Sequence, residues 1–112
     1  MIPQVAIIDS GGANIASLTG ALDRLGARHV LTSDPAAIRN ASHVILPGVG
    51  AAADAMRKLK ARGLDELIPT LTQPVLGICL GMQLFAERSE EDDADCLGIL
   101  AGTVSKLPAS PE

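Results

Sequence analysis

Aromatic side chains are almost missing from this 112-residue chain, which has one Phe, no Trp and no Tyr. Modules that read single-stranded nucleic acid stack bases on aromatic rings, so that class is excluded; the core must come from Val, Ile, Leu, Ala and Met. Positive charge is also scarce. Nine Lys and Arg stand against thirteen Asp and Glu, a formal net charge of −4. Six of the acids (Glu87, Glu90, Glu91, Asp92, Asp93 and Asp95) crowd into residues 87–95 beside a single base, Arg88. No basic field draws in a polyanion, so nucleic acid is not an expected partner. No basic residue precedes Arg24, so the apolar start at Ile2 lacks the charged region of a secretory signal. The longest apolar run, Val75 to Ala86, is interrupted by glycines and Gln83 and is no candidate for a membrane span. The only cysteines, Cys79 and Cys96, read as reduced thiols rather than a disulfide framework. A cytoplasmic protein is expected.

What is present is hydrophobic content of 47% with 20% charged residues, the balance of one packed domain. Gln4 to Ile8 reads as a buried strand ending at Asp9 and the turn-forming Ser10, Gly11 and Gly12. Asn14 is a good N-cap for a helix whose apolar face is Ile15, Leu18, Leu22 and Leu25, with Gly26 as its stop. His29 to Thr32 is a second strand, after which Ser33-Asp34-Pro35 opens a helical turn. Ser42 to Leu46 is a third strand, broken by Pro47-Gly48-Val49-Gly50. A helix over 51–62 follows, acidic early at Asp54, basic late, and closed by Gly63. Residues 64–71 are helical but weakened by Pro69. Val75 to Ile78 is a fourth strand running into Cys79 and an apolar helix over 80–86, and 97–107 is a short strand or hairpin on the far side of the sheet. Strands alternating with helices in units this short predict an α/β fold with a parallel sheet covered on both faces.

Ligands of such sheets bind beyond the carboxyl ends of the strands. The strongest candidate there is Gly77-Ile78-Cys79-Leu80-Gly81, which has the form of a nucleophile elbow with Cys in place of Ser. A strand delivers the nucleophile, a helix carries it away, and small residues two before and two after let the crowded turn close. The helix start places N–H groups and positive partial charge beside the sulfur, which suits a thiolate nucleophile. A free Cys is more commonly a small core hydrophobe, but the strand before it and the helix after it favour a nucleophile. Cys96, in an acidic segment expected to be exposed, receives the opposite reading because neighbouring carboxylates disfavour its thiolate. The glycines around Val49 leave a peptide whose N–H can point at an oxyanion, with Leu80 N–H as second donor. Ser10-Gly11-Gly12-Ala13 lacks phosphate-loop spacing and any Lys and is taken as a tight turn. A thiol nucleophile also needs a base. His29 and His43 are the only histidines, and both fall at strand starts, about 13 Å along the sheet from Cys79 at roughly 3.3 Å per residue.

Ile8-Asp9 with its glycine turn and Asn14, the Pro47-Gly48-Val49-Gly50-Ala51 loop, and Gly77-Ile78-Cys79-Leu80-Gly81-Met82-Gln83-Leu84 together resemble the class I glutamine amidotransferases. Most similar among them are the glutaminase subunits that feed the cyclase forming imidazole glycerol phosphate in histidine biosynthesis. The resemblance covers residues 3 to about 107. It implies a flavodoxin-like, doubly wound parallel sheet that hydrolyses L-glutamine through a cysteine thioester and passes ammonia to a (β/α)8-barrel cyclase partner. It implies no cofactor and no metal. By position, Cys79 is then the nucleophile, backbone N–H groups of Val49, Gly50 and Leu80 form the oxyanion hole, Gln83 contacts glutamine, and Glu91 binds its amino group.

This sequence departs from the family at Ser10 and Ala52, where the family usually carries aromatics, and it shows no His-x-Glu segment for the base. The expectation is therefore that residues 1–112 are the N-terminal part of a single glutaminase domain, inactive alone and self-associating through uncovered apolar surface. Two other readings stay open: another glutaminase of the same class, and a non-catalytic binding module that keeps the glutamine or partner contacts.

Overall fold

The computed structural model of the chain describes residues 3–10 and 15–108. The expected Asn14 cap and most of the turn at 10–13 lie outside them. Four parallel strands form the main sheet in the order β2-β1-β3-β4, with β1 at Gln4–Ile8, β2 at Arg28–Thr32, β3 at His43–Gly48 and β4 at Val75–Cys79. This is the strand order of a flavodoxin-like doubly wound sheet as far as it runs.

Alternation along the strands splits the core in two. Ala6, Ile8, Val44 and Leu46 face α2 (Pro35–Asn40), α3 (Ala52–Ala61) and α4 (Leu64–Leu67), where Ile38, Met56, Leu59, Leu64 and Leu67 are buried against them. Ile7 and Ile45 face the other way, toward Leu22 of α1 (Ile15–Arg24). That second face is only partly covered, because α1 is the one long helix on it among the described residues. Val5, Ile45, Pro74, Val75 and Leu76 border an open apolar cleft of about 420 Å³ there, and Leu76 is 57% exposed. Helices thus flank both faces as expected, and the second is left open beside β4.

Local chemistry explains most boundaries. Asp34 caps α2 by accepting from the Ala36 N–H at 3.2 Å, with Pro35 at the first helical position. Asp54 in the first turn of α3 pairs with Arg57 and, at 3.0 Å, with Lys58; the Lys58 hydrogen bond chiefly holds its carboxyl below the ordinary range. Leu25 does not join the apolar stripe of α1. The helix ends at Arg24, and Leu25 is left 79% exposed.

Three other boundaries differ from the sequence reading. Pro47 and Gly48 are strand, opposite Ile78 and Cys79. The β1 ladder on β3 stops at Ile45, so the N–H that Pro47 lacks is not demanded from that side. The helix after Cys79, α5, spans only Leu80–Gln83. The carbonyls of Leu84, Phe85 and Ala86 accept from the N–H groups of Leu97, Leu100 and Gly98 at 2.9, 2.7 and 2.9 Å. Finally, 97–107 adds no strand to the main sheet. Its Thr103–Val104 (β7) pairs with Arg88–Ser89 (β5), which also pairs with Ala94–Asp95 (β6), in a separate three-stranded sheet β6-β5-β7.

Candidate active site

Cys79 is the last residue of β4 and the residue from which α5 starts. Its backbone has φ 55° and ψ −124°, a conformation that an L side chain adopts only under strain. The elbow closes because the flanking positions have no side chain. A Cβ on Gly81 would stand 1.9 Å from the Leu46 carbonyl oxygen, and one on Gly77 would stand 2.6 Å from Met82 Cα. Strand β3 and the start of α5 are thus pressed together, and the sulfur-bearing residue is turned outward and exposed.

The residues predicted as oxyanion donors lie on the chain segments next to it. Gly48 lies opposite Cys79 in the β3–β4 ladder, so Val49 and Gly50, both exposed, follow directly beside the thiol. Gly50 has φ 91°, which frees that peptide to turn. Leu80, 6% exposed, is the first residue of α5, where helix geometry leaves the N–H without a partner in the helix.

Gln83 follows Cys79 by four residues, and it lines a cleft of about 130 Å³ with Glu91, Val104, Ser105 and Lys106. Gln83 and Glu91 therefore share one cleft although seven residues lie between them. Glu91 is placed by a 3₁₀ turn (Glu91–Asp93) after β5, and its N–H donates to the Oγ of fully buried Ser89 at 3.2 Å. Ser105 and Lys106 carried no motif in the sequence; only the return of β7 beside β5 brings them here.

The histidines are far away. His43 begins β3, five residues before Gly48, which puts it about 16 Å from the level of Cys79 at 3.3 Å per residue. His29 Nε2 pairs with Asp23 Oδ1 at 2.7 Å, and His43 Nδ1 shares a hydrogen bond with Ser42 Oγ at 2.9 Å. Cys96 is half-buried rather than exposed, and its thiol donates to the Ala94 carbonyl at 3.7 Å. Burial first, and the Asp95 carboxylate second, push that thiol above its ordinary value, so desolvation outranks the charge effect anticipated from sequence. Ser10 and Ala52, the two departures noted in the sequence, are both buried: Ala52 is fully buried and Ser10 is 6% exposed. Among the described residues no cluster of three His, Cys, Asp or Glu is gathered to hold a metal ion, and no helix is long and apolar enough to cross a membrane.

Comparison with known proteins gives one consistent answer. The model of the family "Glutamine amidotransferase class-I" matches residues 6–106. "Imidazole glycerol phosphate synthase subunit HisH 2" of Legionella pneumophila (strain Lens) is 55% identical over 106 residues, covering 95% of this chain and 53% of the relative. "Imidazole glycerol phosphate synthase subunit HisH" of Xanthomonas axonopodis pv. citri (strain 306) is 55% identical over 104 residues, covering 93% and 52%. The chain spans about half the length of the curated relatives it matches. A solved structure described as "Crystal structure of glutamine amidotransferase" superposes with a TM-score of 0.76 at 19% identity, over 90% of this chain and 55% of that one, a likeness of fold.

Proposed function

The chain belongs to the class I glutamine amidotransferases, and we propose that it forms the nucleophile-bearing, N-terminal part of a glutaminase domain supplying ammonia to a cyclase in histidine biosynthesis. The observation that carries the chemistry is the strained backbone of Cys79 between two positions that admit no side chain. The identity of the two HisH relatives favours the imidazole glycerol phosphate branch over other glutaminases of the class. A soluble cytoplasmic setting and a (β/α)8-barrel partner belong to the same proposal.

In this reading the Cys79 thiolate attacks the side-chain amide carbon of L-glutamine. Charge that develops on the amide oxygen is taken up by backbone N–H groups of Leu80 and of Val49 or Gly50. Collapse of the tetrahedral adduct expels ammonia and leaves a γ-glutamyl thioester, which water opens to glutamate. Gln83 and Glu91 hold the amino-acid end of the substrate. The proton of Cys79 must pass through a base to the departing amide nitrogen, so that it leaves as ammonia, and neither His29 nor His43 reaches the sulfur. We assign the base to the part of the relatives' length that the match does not reach.

The test uses a glutamine-analogue affinity label on the 112-residue chain combined with the remaining segment of a matched relative and its cyclase. Labelling at Cys79, its loss in Cys79→Ala, and glutamine turnover in the combined sample are expected. Turnover by the 112-residue chain alone, or equal labelling of Cys96, would overturn the assignment.

A further inference from the structure

Building on the glutaminase reading, we propose that Arg62 is a positioning residue for the oxyanion loop at 49–51, which it steadies through α3 from the end of β1. The loop has little of its own to hold it. Val49 is 53% exposed, and no side chain caps α3 at Ala51. Gly50, at φ 91°, has no atom beyond its chain neighbours within 4 Å of where a Cβ would stand. The placement of the loop therefore comes from its two ends. Gly48 is fixed by pairing opposite Cys79, whereas the other end is α3 itself, which starts at Ala52.

Ala52, Met56 and Leu59 seat α3 against the core, but apolar burial is non-directional and does not by itself fix the slide and rotation of a helix. A directional tie comes at the far end. Arg62, the C-cap of α3, donates from its guanidinium to the Asp9 carbonyl at 2.6 Å, across 53 positions of sequence. Both partners are themselves held. The Arg62 and Gly63 N–H groups donate back to the Leu59 and Lys60 carbonyls at 3.1 Å, and the Asp9 N–H donates to the Thr32 carbonyl at 2.9 Å. Continuing the β1–β3 register past Ile7 and Ile45 sets Asp9 level with Pro47, the strand residue that leads toward the loop. The helix thus leaves the loop, runs about 15 Å, and is tied back at the level where the loop began. Strand end, loop and helix form a closed strap whose last fastening is a charge-assisted hydrogen bond. Releasing it lets the Val49 and Gly50 N–H groups shift against the sulfur, and a displacement of about 1 Å is enough to cost an oxyanion donor much of its effect.

The experiment compares two reagents on Cys79 of the 112-residue chain, each followed by the mass of the Cys79 peptide. With p-nitrophenyl acetate the sulfur attacks the ester carbonyl through an oxyanion; an acetyl thioester forms, p-nitrophenolate leaves and the thiol proton goes to solvent. Iodoacetamide alkylates the sulfur with loss of iodide, and no oxyanion forms. Arg62→Met should slow acetylation about threefold to tenfold while changing alkylation less than twofold. Arg62→Gln, too short to reach Asp9, should repeat that loss. Arg62→Lys should recover most of the acetylation rate, because a single bond to a carbonyl does not need the guanidinium fork. Equal slowing of both reagents, or no change in either, overturns the positioning role alone. If wild-type Cys79 favours acetylation over alkylation no more than glutathione does, the backbone donors of the glutaminase reading fail, and the role of Arg62 with them.

Discussion

Replacing Cys79 by glycine should stabilise the fold while removing the proposed nucleophile. At φ 55° and ψ −124°, Cys79 occupies a region in which a side chain costs about 1–3 kcal/mol. Its side chain is exposed, so deleting the thiol forfeits little packing. Glycine removes the strain but enlarges the freedom of the unfolded chain, an opposing effect of about 0.4–1 kcal/mol. The difference leaves Cys79→Gly about 0.5–2 kcal/mol more stable than Cys79→Ala, which loses the sulfur and keeps the strain. For a chain near this length, 1 kcal/mol corresponds to roughly 4 °C in Tm. Urea unfolding followed by circular dichroism, with all variants at one protein concentration, should place the midpoint of Cys79→Gly above that of Cys79→Ala at unchanged m. Equal midpoints, or a lower one for glycine, would show that the elbow stores no strain at this residue, and the structural argument for Cys79 as nucleophile would lose its main support.

Gly81→Ala should act in the opposite sense. Its Cβ would sit 1.9 Å from the Leu46 carbonyl, a contact only backbone movement relieves, and a loss of about 3 kcal/mol or failure to fold is expected in the same urea series. The two thiols should separate in alkylation at pH 8, exposed Cys79 reacting well before half-buried Cys96. The folded state holds the Cys96 proton more tightly than the unfolded chain, so that contribution to stability is present at neutral pH and is lost as the pH rises through the raised value. Cys96→Ser should flatten this alkaline decline in a pH series of unfolding midpoints. The isolated chain should self-associate through the partly covered face at Val5, Pro74, Val75 and Leu76, most simply as a two-fold dimer. Light scattering at several concentrations checks this, and Leu76→Lys should shift the population toward monomer.

The parts of this molecule that were legible in its sequence are those decided within a few residues. Apolar runs gave β1 and β4 nearly their observed ends, and Asp34-Pro35 marked the start of α2 through a cap that needs only its own turn. The elbow was legible for the same reason: Gly77, Cys79 and Gly81 satisfy a steric condition set by the strand-to-helix turn itself. What escaped was decided by distant segments. Pro47 and Gly48 are strand because β4 pairs with them after β1 has ended, a fact of register rather than of residue type. Two-residue strands such as β5, β6 and β7 carry no periodicity to read. Cys96 looked exposed because its neighbours are acidic, whereas their backbone folds it partly under cover.

The same division runs through the candidate site. Its reactive half is local: the sulfur and the Leu80 N–H come from one turn of chain, with the Gly50 peptide alongside. Its other half depends on how the chain after β6 returns to the end of α5. A helix ending at Ala86 would leave the carbonyls of Leu84, Phe85 and Ala86 without helical partners, and here the N–H groups of Leu97, Leu100 and Gly98 satisfy them. Without those three bonds the strand that brings Val104, Ser105 and Lys106 beside Gln83 and Glu91 would have no fixed path to the cleft. Three backbone hydrogen bonds between residues more than ten apart thus join an elbow readable from a pentapeptide to a cleft that no pentapeptide encodes.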